Sequence, residues 1–140
     1  MLFRSVIVIS ISALAAVAGC GKPGPKIAPV TGVVALDGSP LSSGVVNFVS
    51  ASGYVSSARV GPDGRFRLVS QYGAGIPLGT YRVTVLPEPG DPREMPMRRK
   101  NVLPTSAIPL KYQFPDRSGI SATVVETRNE LSIDLRSNAN

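Results

Sequence analysis

The chain has 140 residues, 15 Lys and Arg against 9 Asp and Glu, a formal charge of +6, 14 Gly, 13 Pro, no His, no Trp and one Cys. That length is the size of one small domain, which excludes a multidomain enzyme. The lack of His and the single Cys exclude Ser/His and Cys/His catalysis, the usual zinc ligand sets and an intramolecular disulfide.

Arg4 precedes an apolar and small-residue run from Val6 to Ala18 that ends in Val17-Ala18-Gly19-Cys20. As a helix these 13 residues span roughly 20 Å against a hydrocarbon core of about 30 Å, so the run reads as a secretory signal over 1–19 and not as a permanent anchor. Val17-Ala18-Gly19-Cys20 resembles the bacterial lipobox, in which the Cys thiol takes a diacylglycerol, the preceding bond is cut and the new amino terminus is acylated. Small residues at 18 and 19 leave the backbone open to cleavage, and a thiol is the side chain that supplies a good nucleophile near neutral pH. Cys20 is therefore the expected lipidation site, and the mature chain of 121 residues would carry 14 basic and 9 acidic side chains. At about 0.8 kcal/mol per buried methylene, two or three acyl chains hold a protein on a membrane with no further contact. Residues 20–29, with Pro23, Pro25 and Pro29, read as the lipidated Cys and a flexible tether.

From residue 30 the pattern has period two. Val30 to Leu36 is rich in β-branched residues and stops at the turn cluster Asp37-Gly38-Ser39-Pro40. Val45 to Ser50 sets Val46 and Phe48 on one face. Ser56 to Val60 and Arg65 to Val69 flank Gly61-Pro62-Asp63-Gly64, which reads as a hairpin, with Phe66 and Leu68 inward and Arg65, Arg67 and Val69 outward. Thr80 to Leu86 points Tyr81, Val83 and Val85 inward and Arg82 and Thr84 outward. Ile120 to Val125 and Leu131 to Leu135 read as a last pair joined through Glu126–Glu130, with Leu131, Ile133 and Leu135 inward and Asp134 outward. Seven short strands with Gly, Pro and Asp turns predict an all-β fold, a seven-stranded antiparallel β-sandwich over 30–136, followed by a tail at 137–140.

Between the fifth and sixth strands lie residues 87–119, a Pro-rich stretch with seven prolines. Loops longer than about 12 to 15 residues are uncommon in compact domains and carry function or lack order. Here Arg98, Arg99 and Lys100 form a basic cluster suited to an anionic polymer, a lipid headgroup or an acidic partner. Tyr112 and Phe114 straddle Gln113, either packing the returning loop on the sandwich or forming an exposed ligand platform. Asp37-Gly38 and Asp63-Gly64 offer one carboxylate each, which is turn chemistry and far short of a calcium site. No metal site and no cofactor is expected beyond the covalent lipid at Cys20. Nucleic acid is not an expected partner, since no aromatic platform accompanies the basic run.

Val30-Thr31-Gly32-Val33-Val34, Leu36 to Phe48, Asp63-Gly64-Arg65-Phe66 and Leu78-Gly79-Thr80-Tyr81-Arg82-Val83-Thr84-Val85 resemble the opening, the D-G-x-F hairpin and the P-x-G-x-Y-x-V-x-V strand of carboxypeptidase-regulatory-like, transthyretin-like domains. Leu78 departs from a Pro that is frequent there. The ending, from Ile108-Pro109-Leu110-Lys111-Tyr112 to Asp134-Leu135, is similar to that of short lipoproteins of this kind in planctomycete bacteria. The resemblance covers nearly all of 30–136. It implies a prealbumin-like or immunoglobulin-like sandwich on a cell envelope, at the periplasmic face or the cell surface, and almost nothing about activity. The expectation is a non-catalytic structural or interaction module, with the membrane, an envelope protein or an anionic polymer as partner and no catalytic residue. The alternatives are a carbohydrate- or small-ligand-binding protein and, behind it, a His-independent hydrolase using Asp116, Glu126 or Glu130.

Overall fold

The computed structural model describes residues 19, 21–88 and 108–137. Residues 1–18 of the expected signal over 1–19, Cys20, the loop interior 89–107 and residues 138–140 lie outside the described residues.

The period-two segments form strands, and the fold is all-β. In chain order the strands are β1 Ile27–Ala28, β2 Val30–Leu36, β3 Ser39–Pro40, β4 Gly44–Ser50, β5 Val55–Val60, β6 Arg65–Arg67, β7 Ile76–Pro77, β8 Gly79–Leu86, β9 Ile120–Val124 and β10 Asn129–Leu135. One 3-10 turn, Leu110–Gln113, precedes β9. All seven expected strands are present; the count among the described residues is ten, the further three being β1, β3 and β7, each two residues long. Such short strands leave no alternation to read.

One four-stranded sheet is antiparallel throughout, in the order β5-β4-β8-β9. In the other, β2 lies between β10 on one side and β3 and β6 on the other. Here the antiparallel expectation is corrected: β10 runs parallel to β2, from Asn129 beside Val30 to Leu135 beside Leu36. Two expected strand pairs are corrected with it. β5 pairs with β4 and β6 with β2, so Gly61–Gly64 is a corner between sheets and not the end of a ladder. Likewise β9 pairs with β8, while β10 crosses to the other sheet. The turn chemistry itself is as expected: the Gly64 N–H bonds the Gly61 carbonyl at 2.9 Å and Gly64 takes φ 79°. Asp37 and Gly38, at φ 51° and 84°, make the two-residue hairpin turn between β2 and β3 that favours Asp-Gly.

Both sheets bury one face in a single core. Val30, Val34, Phe66, Leu68, Ile133 and Leu135 meet Val46, Phe48, Tyr81, Val83, Val85 and Val124. Phe48 and Phe66 touch across the layers with ring centroids 6.1 Å apart, and Phe48 meets Tyr81 at 6.0 Å. Leu131, expected inward, is partly buried at the margin of this core. Arg82 is exposed as expected, but Thr84 is buried, and the 3-10 turn packs against β8. The domain also begins earlier than residue 30. β1 pairs with β7, and the Leu78 N–H donates to the Lys26 carbonyl at 3.1 Å, so the exposed, irregular tether among the described residues ends at Lys26.

Candidate functional site

The alternation that turns Phe66 into the core turns Arg65 and Arg67 out of β6. Their neighbours in β2 are Val33 and Thr31, and the parallel register adds Ser132 beside Val33 and Glu130 beside Thr31. Two rows therefore cross the outer face: Arg67, Thr31, Glu130 and Arg65, Val33, Ser132. With strands about 4.8 Å apart, each row spans roughly 10 Å of backbone. Arg128, in the segment leading into β10, closes one end, and Pro29 and Ala74 form part of the wall. The result is a cleft of about 810 Å³.

Three arginines and one carboxylate line it. Arg65 is engaged with Asp63, Nε to Oδ2 3.4 Å. Arg67, Arg128 and Glu130 have no ion-pair partner among the described residues. Among the described residues neither the Thr31 nor the Ser132 hydroxyl is hydrogen-bonded to a carboxylate. The arrangement offers guanidinium forks for anions, hydroxyls that donate or accept, and one carboxylate that accepts.

Of the residues favoured from sequence, Tyr112 and Phe114 are placed away from the cleft. Cys20, Arg98, Arg99 and Lys100 lie outside the described residues. Tyr112 and Phe114 part company. Tyr112, 5% exposed, packs into the core margin, and its hydroxyl accepts the Arg136 N–H at 3.1 Å while the Lys111 ammonium sits 4.8 Å from the ring centre. Phe114 is 50% exposed, with the Arg117 guanidinium 5.7 Å from its ring centre. The two aromatics therefore do not form one platform. Of the three carboxylates considered for a hydrolase, Asp116 is hydrogen-bonded to Arg82 beside a shallow hollow of about 450 Å³. Glu126 is bonded to Lys26 at 2.7 Å, and Glu130 stands in the cleft. No group of three or more Cys, Asp and Glu able to hold a metal exists among the described residues.

Among the described residues two groups have shifted pKa values, both away from the cleft. Burial, with the Tyr54 hydroxyl nearby, raises the Tyr81 phenol above its ordinary value; its proton is donated to the Pro77 carbonyl at 2.7 Å. Hydrogen bonds from the side chain and backbone of Ser137, with the charge of Arg136, hold Asp37 below the usual carboxylate range.

Sequence reading missed the cleft because each strand's outward residues, taken alone, are an ordinary wet face. Only the parallel pairing of β10 with β2 sets Glu130 and Ser132 beside the β6 arginines. No protein-family model matches the chain, and no curated protein is significantly similar to it.

Proposed function

We propose that this chain is an exported, lipid-anchored protein of a bacterial cell envelope whose domain is a β-sandwich of the carboxypeptidase-regulatory-like kind acting as a non-catalytic binding module. The observation that carries the binding role is the cleft of about 810 Å³ on the outer face of β6, β2 and β10, with Arg67 and Arg128 unpaired among the described residues. Two four-stranded sheets closing on one core support the sandwich. The anchor reading rests on Val17-Ala18-Gly19-Cys20, and the six residues that follow Cys20, through Lys26, would hold the domain within about 20 Å of the membrane.

Crosslinking in intact cells tests the role. Wild type is compared with Arg67→Gln/Arg128→Gln, with Arg98→Ala/Arg99→Ala/Lys100→Ala and with Cys20→Ser, while incorporation of an alkyne fatty acid reports the lipid. The expected result is a specific species lost in the cleft variant, and a label lost only in Cys20→Ser. A species lost only in the 98–100 variant would move the working surface to the loop. An empty capture from wild type would overturn the binding module, and an unlabelled wild type would overturn the anchor.

A further inference from the structure

The cleft's chemistry is more specific than its charge. An acidic peptide would want cations and an apolar pocket for its side chains, yet of the large apolar residues in the lining Val30 and Leu68 are fully buried, which leaves Val33, Leu131 and Pro29 partly exposed. With the arginines stand Thr31, Ser132 and the carboxylate of Glu130, which is unpaired among the described residues. A carboxylate in an anion cleft repels a ligand that carries only negative charge, but it is a strong acceptor for a ligand that also carries hydroxyl groups. Resting on the binding-module reading above, we propose that the cleft binds an acidic polysaccharide: Arg67 and Arg128 take the sugar carboxylates, and Glu130, Thr31 and Ser132 take the ring hydroxyls. A row length of roughly 10 Å of backbone across the three strands matches a single polysaccharide chain more closely than a folded partner.

The assignment of Glu130 makes a prediction opposite in sign to simple electrostatics. Glu130→Ala raises the net positive charge of the cleft, so a ligand held by charge alone binds it more tightly. A polyhydroxylated ligand loses an acceptor and binds it less tightly.

The test uses the full lipidated chain in neutral phosphatidylcholine vesicles at about 0.15 M salt, where weak surface attraction is screened. Titration calorimetry is run with polygalacturonate, neutral dextran and poly-L-glutamate. Arg67→Gln/Arg128→Gln is expected to weaken polygalacturonate binding by at least tenfold, in line with the strength of charge-assisted hydrogen bonds. Arg59→Gln/Arg117→Gln, which removes the same charge from the other sheet and the turn before β9, should change it less than twofold. Glu130→Ala should weaken polygalacturonate severalfold and strengthen any residual poly-L-glutamate binding, and dextran should not bind. Because all five side chains are exposed, thermal melts should coincide with wild type. Equal losses in the two arginine pairs, tighter binding of poly-L-glutamate than of polygalacturonate, or no binding of polygalacturonate would each overturn the proposal. None of these would touch the module itself, which fails on the separate result of an empty capture in cells.

Discussion

Asn129 bonds through its side chain to three stretches of backbone. Its side-chain amide donates to the carbonyls of Thr127 at 2.8 Å, Val125 at 3.1 Å and Pro29 at 3.3 Å, and its side-chain oxygen accepts the Val125 N–H at 3.0 Å. Those bonds fasten the segment that leaves one sheet at Val124 and enters the other at Asn129, and they tie it to the chain just before β2. Asn129 is buried, so Asn129→Ala would strand backbone groups that water reaches poorly; the expected loss is about 2–4 kcal/mol in urea unfolding. Asn129→Asp should be worse at pH 7 than at pH 3, since a carboxylate facing three carbonyls repels them while the neutral acid can still donate once. A variant within about 0.5 kcal/mol of wild type would show that the corner is held by strand packing instead.

At the level of the elements, the strands were legible and their pairings were not. Val46 and Phe48, Phe66 and Leu68, and Tyr81, Val83 and Val85 alternate with polar residues, and each of those sets is buried. Asp37-Gly38 and Pro62-Asp63-Gly64 likewise carry their turns in the residue types themselves. Pairing is a long-range choice, and nothing local distinguishes a hairpin from a corner that hands the chain to the opposite sheet. For the same reason Arg65 and Arg67 were readable as outward, whereas the cleft they share with Glu130 and Ser132 was not. The 3-10 turn at 110–113 was hidden by its length, and it splits the expected aromatic pair. Tyr112→Ala should cost about 3 kcal/mol, the scale for emptying a buried aromatic site, and should free the Arg136 N–H at the end of β10. Phe114→Ala should change stability by less than about 0.5 kcal/mol. Equal effects in denaturant titrations would mean that both rings serve the same purpose.

For the molecule as a whole, the decisive link is the parallel pairing of β2 with β10, which joins the two ends of the domain. Contacts a hundred residues apart recur along it: Lys26 with Glu126, Pro29 with Asn129 and Asp37 with Ser137. Such non-local closure slows folding, because the loop entropy is lost before the contact forms. Asp37 holds the far end of this seam, its Oδ1 accepting the Ser137 N–H at 3.0 Å just past β10. A carboxyl whose pKa is lowered by folding adds stability that is present above its unfolded value of 3.8 and is lost as pH falls through the folded one. Acidification below about pH 4 should therefore loosen the end of β10 first, seen as faster deuterium exchange at the Ser137 amide before the core strands respond. Asp37→Asn keeps the turn, since Asn also tolerates a left-handed backbone, but it removes the titrating charge. Its melting temperature should fall less than that of wild type between pH 5 and pH 3. Because Glu126 and Asp116 remain in both proteins, the difference between the two curves isolates Asp37, and parallel curves would remove it from the acid response.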